Sequence, residues 1–279
     1  MLVKFGVNIW IWTTPSTDSI IKFLPKIKEM GFDGIEIPIE EPSAINVKRI
    51  KEELASFNLS STTCAFFSAD RDPLEKEGKL AKKYIKDCIG IASELGSGVV
   101  AGPLYSPVGK LVGREITDVE WKSIVNFLKD IGEYAVDRGV RLALEPINRY
   151  ETYVLNTAKD CLRLVEEVGN PNIGIHLDTY HMNIEEKDFY SPIMIAGKRL
   201  YHMHMSESDR GIPGTGHVNW KYVMKALKEA GYNHWLVIES FVLGVGVFAA
   251  AAIWRKIAPR GDAIAKQGLQ YLKSLWEII

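Results

Sequence analysis

Eight short runs rich in β-branched and aromatic residues recur along the chain, and a stretch of helical period separates each from the next. This alternation restricts the fold more than any single motif does. The strand-like runs are VKFGVNIW (3–10), GIEIPI (34–39), LSSTTCAFF (59–67), GVVAGP (98–103), VRLALEP (140–146), IGIHLD (173–178), LYHMHM (200–205) and WLVIES (235–240). Among the helical stretches, TDSIIKFLPKIKEMG (17–31) spaces Ile20, Phe23, Leu24 and Ile27 along one face and stops at Gly31. DVEWKSIVNFLKDIGEYAVDRG (118–139) opens on acidic residues and closes at Gly139, and NWKYVMKALKEAG (219–231) runs from an Asn cap to a glycine. Eight such units in 279 residues, with no linker or low-complexity segment, predict an α/β fold with one domain over residues 1–279. That domain is a (β/α)₈ TIM barrel, whose active site lies at the C-terminal ends of its strands. A doubly wound open sheet would carry a Gly-rich fingerprint after its first strand, and NIWIWTTPSTD has none.

Charge and cysteine usage narrow the function. A net charge of -1, with no long Lys/Arg cluster, argues against nucleic acid as a partner. The N-terminus enters a strand at once, so no secretory leader is expected. The apolar run FVLGVGVFAAAAIW (241–254) is too short and too glycine-rich to span a bilayer, so no membrane partner is expected. Cys64, Cys88 and Cys161 lie far apart with no CxxC spacing, which predicts a reduced, cytoplasmic protein.

In a barrel, the polar residues at strand ends become informative. The fifth strand ends at Glu145, the sixth at Asp178, the seventh at His202 and His204, and the eighth at Glu239. Strand alternation puts Arg141, Ala143 and Glu145 on one face, and likewise His202 with His204 and Val237 with Glu239. Three carboxylates converging without a partner would repel one another. A divalent cation removes that repulsion, and three oxygen ligands with one imidazole suit Mn²⁺, Co²⁺, Mg²⁺ or Zn²⁺. Glu151 and His181 lie just beyond strand ends, within reach of a bound ligand. Arg210 can clamp substrate oxygens or support a site carboxylate. His176 and His202 sit one inward step below Asp178 and His204, which suits supporting roles. IPGTG (212–216) reads as a Pro-Gly turn rather than an anion nest. Trp10, Trp12, Phe66 and Phe67 end the first and third strands as core residues, or as an apolar wall against a sugar.

The blocks LEPINRYE, LDTYHMNIEE, HMHMSESDRGIPGTGHVNW and VIESF resemble the signatures of the D-tagatose 3-epimerase / D-psicose 3-epimerase family, in the xylose-isomerase-like barrel superfamily. The resemblance covers most of the chain and is densest from the fifth strand to the eighth. It implies that Glu145, Asp178, His204 and Glu239 bind one divalent metal ion, Mn²⁺ or Co²⁺ ahead of Mg²⁺ or Zn²⁺. It also implies that Glu151, His181 and Arg210 contact substrate. The chain has Ser206 and Asp209 where the family commonly has Gly and Asn, and its first strand ends in VNIWIWT, so the pocket wall differs in detail.

The chemistry expected is inversion at C3 of a ketose or keto-sugar acid through a cis-enediolate. A metal chelated by the C2 carbonyl and C3 hydroxyl oxygens acts as a Lewis acid. Glu145 and Glu239, on non-adjacent strands, serve as base and acid on opposite faces of C3. The rival on the same scaffold is an aldose–ketose isomerase. A more distant one is an apurinic-endonuclease-type phosphodiesterase, which wants more imidazoles and a basic groove. Substrates that fit include a ketohexose, a ketopentose or a keto-hexonate such as ketogluconate or tagaturonate. An exposed apolar helix face would favour a homodimer or homotetramer.

Overall fold

The computed structural model describes residues 3–75, 78–241 and 253–279. Strands β1 (Lys4–Asn8), β2 (Gly34–Pro38), β3 (Ser60–Cys64), β4 (Val99–Gly102), β5 (Arg141–Leu144), β6 (Ile173–Asp178), β7 (Leu200–His204) and β8 (Trp235–Ile238) pair in chain order. All the pairings are parallel, and β8 pairs with β1 to close the barrel. Helices α1 (Thr17–Met30), α2 (Val47–Ser56), α3 (Lys79–Leu95), α4 (Asp118–Val136) and α5 (Ala158–Val168) follow the first five strands. The short α6 (Thr179–Glu185) and α7 (Ser191–Ala196) follow β6, then α8 (Trp220–Glu229) and α9 (Gly261–Ile278) complete the ring. The expected TIM barrel is therefore present.

Local chemistry explains where elements begin and end. Capping boxes open α1 (Ser16 with Ser19) and α4 (Thr117 with Glu120), and Asn219 caps α8. Helix α1 stops at Gly31, whose φ of +88° leaves the helix through the left-handed region. Every strand but β6 is shorter than the run that predicts it, and β1 and β3 show why. The Asn8 side chain accepts the Trp10 N–H at 3.0 Å and draws the chain into a 3-10 turn at Ile9–Ile11. Strand β3 stops at Cys64, so Phe66 and Phe67 belong to the loop at the barrel mouth.

The outward strand faces, including Ile35, Ile37, Leu142, Leu144, Ile173, Ile175 and Leu177, are buried against the helices. The inward faces carry a different population. Asn8, Glu36, Thr62, His176 and His202 are all at 0% exposure in the barrel interior. A register shift between Ile175 and His176 aligns His176 with His202 and Asp178 with His204 across β6 and β7. Gly102 closes β4 at φ +131°, where a Cβ would lie 2.1 Å from the Ala65 carbonyl oxygen. Its own carbonyl accepts the Glu145 N–H at 3.0 Å, which fixes the exit of β5.

All three cysteines are buried free thiols. Among the described residues no helix is long and apolar enough to cross a membrane. Most of the apolar run 241–254 lies outside the described residues.

Candidate active site

The four expected metal ligands converge at the C-terminal mouth. Asp178 and His204 are the last residues of β6 and β7, and Glu145 and Glu239 lie one residue past β5 and β8. All four are buried. Glu145, Asp178 and His204 offer ligand atoms within 4.8 Å of one another, and so do Glu36, His204 and Glu239. His204 Nδ1 stands 3.3 Å from Glu239 Oε2, yet it is a buried nitrogen without a hydrogen bond. A buried, unpartnered imidazole nitrogen facing three carboxylates is a donor set that fits a divalent cation.

Arg210 lies among the site carboxylates. Its Nη1 donates to Asp178 Oδ2 at 2.5 Å, to Glu239 Oε2 at 2.9 Å and to Ser206 Oγ at 2.8 Å. Of the two roles open to it from sequence, bracing site carboxylates is the one these contacts describe. The residue adopts φ +63°, a strained conformation for a non-glycine. The Ser240 hydroxyl grips its carbonyl oxygen, and the guanidinium stacks 4.1 Å over Tyr180. Ser206, one of the positions that departs from the family pattern, is part of this brace.

The loop that carries Arg210 is organised by Glu207, which sequence reasoning passed over. Its buried carboxylate accepts the N–H groups of Ser208 (2.8 Å), Gly214 (2.9 Å) and Val218 (3.2 Å), and Trp220 Nε1 (2.9 Å). The Gly214 amide is thus spent inside the loop, which confirms IPGTG as a turn. Asp209 Oδ1 accepts the Gly211 N–H at 2.8 Å and shapes the same turn.

His181 and Glu151 stand at the rim of the same site. His181 Nδ1 accepts the Asn148 N–H at 3.1 Å, while Nε2 lies 3.4 Å from Arg210 Nη2 and 3.8 Å from Glu145 Oε1. Glu151 accepts Asn148 Nδ2 at 2.7 Å. His176 lies beneath, 3.5 Å from Glu145 Oε2, with its ring edge-on to His204 and His202. Glu36 is a second residue that sequence reasoning missed. From the middle of β2 it approaches His204 Nε2 at 2.6 Å and His202 Nε2 at 2.7 Å. Its only sequence signal is a charge between Ile35 and Ile37 in an apolar strand.

The electrostatics match this crowding. Burial raises Glu145 well above the ordinary carboxyl range, and Glu239 and Asp178 add to the effect against His204 and Arg210. Burial likewise raises Asp178 despite Arg210. For Glu239, burial is outweighed by His204 and Arg210, which hold it below the ordinary value. Burial opposes the His204 cation, yet Glu239 and Glu36 outweigh it and raise that imidazole well above its usual range. His176, His181 and His202 are lowered by burial. The chain thus balances its carboxylates with Arg210 and a His204 proton, a proton that a bound cation would replace.

These groups open onto one cavity of about 300 Å³. Glu145, Glu151, His181, His204, Arg210 and Glu239 line one side, with Asp178 behind Arg210. Trp10, Ala65, Phe66, Phe67 and Phe241 line the other. Trp12 instead stacks on Phe23 at 5.1 Å and donates to Asp262, away from the cavity.

Comparison with known proteins agrees with this fold. The sequence model of the xylose isomerase-like TIM barrel family matches residues 24–275. A ketose 3-epimerase of Arthrobacter globiformis is 34% identical over 91% of this chain and 90% of its own. An L-ribulose 3-epimerase of a Methylomonas species is 30% identical over 97% of each. The crystal structure of a Methylomonas D-allulose 3-epimerase in complex with D-allulose superposes with a TM-score of 0.93 at 29% identity, covering 98% of this chain and 97% of that one. The chain belongs to the xylose isomerase-like TIM barrel family and, within it, to the ketose 3-epimerases, carbohydrate epimerases of the isomerase class.

Proposed function

We propose that the chain inverts C3 of a neutral, unphosphorylated ketose through a cis-enediolate, with Glu145 and Glu239 exchanging the proton on opposite faces of the carbon. The observation that carries this reading is the placement of those two carboxylates. They leave the non-adjacent strands β5 and β8, line one cavity, and flank His204 and Asp178. One carboxylate removes the C3 proton, and the other returns a proton from the far side, so the configuration inverts. Asp178, His204, Glu145 and Glu239 would hold one divalent ion, Mn²⁺ or Co²⁺ in our reading, which when bound polarises the C2 carbonyl as a Lewis acid. Arg210 braces Asp178 and Glu239, limiting their motion during proton transfer. His181 and Glu151 orient hydroxyl groups at the mouth.

The neutral substrate follows from where the cations are. Arg210 is the sole Lys or Arg lining the cavity among the described residues, and two carboxylates already engage it. Apart from the divalent ion, which the C2 carbonyl engages, no cation lining the cavity among the described residues is free to receive a substrate carboxylate or phosphate, and Glu151 at the rim would repel one. The aromatic wall instead suits the C–H face of a sugar. The three buried free thiols suit a reducing compartment such as the cytoplasm.

Incubation of the Mn²⁺-loaded enzyme with ketoses in heavy water tests the reaction. We expect deuterium at C3 and formation of the C3 epimer; label confined to C1 would instead establish an aldose–ketose isomerase. Faster turnover of a keto-hexonate than of any neutral ketose would refute the substrate assignment.

A further inference from the structure

Glu36 is fully buried beneath the cavity, lines none of it, and has no part in the proton transfers proposed above. Its surroundings are nonetheless specific. Oε2 accepts Asn8 Nδ2 at 3.0 Å and lies 2.6 Å from His204 Nε2. Oε1 accepts the Thr62 hydroxyl at 3.0 Å and lies 2.7 Å from His202 Nε2. The Asn8 amide is oriented without ambiguity, because its Oδ1 already accepts the Trp10 N–H and only its Nδ2 is left to face Glu36. A carboxylate offers lone pairs and no proton, so Asn8, Thr62 and His204 can bond to it only as donors, while His202 Nε2 lies beside it without a hydrogen bond.

For His204 the consequence is chemical. If Nε2 holds a proton for Glu36, then Nδ1 is the nitrogen with a lone pair to give, and Nδ1 is the one facing Glu239. We propose that Glu36 is a positioning residue that commits His204 to bind metal through Nδ1, with Asn8 and Thr62 fixing the carboxylate that does so. This rests on the reading of His204 as a metal ligand. Glutamine is an incomplete replacement, because it can keep its oxygen toward Asn8 and His204 by turning its NH₂ to Thr62, whose hydroxyl also accepts. Leucine offers His204 no acceptor at all. Removing a carboxylate partner of a metal-binding imidazole typically weakens metal affinity about 10–100-fold.

The test pairs a tautomer readout with a binding readout, using Zn²⁺ as a diamagnetic probe on protein labelled with ¹⁵N-histidine. In the wild-type protein loaded with Zn²⁺, NMR should show His204 with its proton on Nε2 and its metal-shifted nitrogen at Nδ1. Glu36→Leu should lose that Nε2–H signal, and calorimetric titration should show Zn²⁺ affinity reduced about 10–100-fold. Thr62→Val removes one donor to Glu36 without touching His204, so it should keep the Nε2–H signal and lose less than tenfold in affinity. It also keeps the proposal testable if Glu36→Leu does not fold. Zn²⁺ on Nε2 with the proton on Nδ1 overturns the proposal, as does a folded Glu36→Leu variant that binds Zn²⁺ like the wild type. Wild-type protein that binds no Zn²⁺ overturns the reading of His204 as a ligand, a distinct result from the failure of Glu36 alone.

Discussion

The two halves of the barrel contribute unlike surfaces to one cavity. Strands β5 to β8 and their loops supply Glu145, Glu151, Asp178, His181, His204, Arg210 and Glu239. Strands β1 to β4 and their loops supply Trp10, Ala65, Phe66, Phe67, Gly102 and Pro103. One half carries the charges that chemistry needs, and the other presents most of an apolar wall that Phe241, just past β8, completes. Glu36 is the exception that ties the halves together, reaching from β2 under the cavity floor to His202 and His204 on β7.

The largest effect should come from the chemical half. Glu145→Gln or Glu239→Gln should lower kcat about 10²–10⁴-fold with an unchanged circular dichroism spectrum. Turnover near that of the wild type would end the acid–base assignment. Stripping divalent ions with a chelator should abolish epimerisation, and Mn²⁺ or Co²⁺ should restore it. The unfolding temperature should then rise with metal concentration, by an amount equivalent to about 2.7 kcal/mol at 100 times Kd. Metal affinity should fall as pH is lowered, because the ligands must shed protons to bind.

The clamp at Glu207 offers a test of how that half is held together. Its backbone and Trp220 donors hold the carboxyl below its ordinary value, outweighing burial, which acts in the other direction. A depressed folded value means the stabilisation is present above the unfolded value of about 4.3 and lost as pH falls through the folded one. Glu207→Gln should therefore cost about 1–3 kcal/mol in denaturant melts at neutral pH and progressively less in acid. A difference that grows in acid would contradict this. The smallest effect belongs to the wall. Phe66→Ala should raise KM about 2–10-fold, from the loss of about 0.5–1.5 kcal/mol of aromatic contact, with little change in kcat. A fall in kcat to match the carboxylate variants would erase the distinction between the halves.

Much of this is legible in the sequence. The period of the apolar residues revealed eight strand–helix units, and Asn219 and Gly31 marked helix ends that the backbone obeys. Strand alternation carried Glu145, Asp178, His204 and Glu239 to one mouth, because a parallel barrel places all its strand ends on one face. What the chain by itself determined was therefore the set of elements and the direction in which each strand end points, both consequences of local periodicity. The partners of each side chain were decided only by the tertiary structure. Glu36 meets a histidine 168 positions away, Arg210 turns to Asp178 and Glu239, Asn8 shortens its own strand, and Trp12 leaves the cavity for Phe23. Those pairings depend on barrel closure and on which buried donors meet which acceptors, and no spacing along a linear chain encodes that distance.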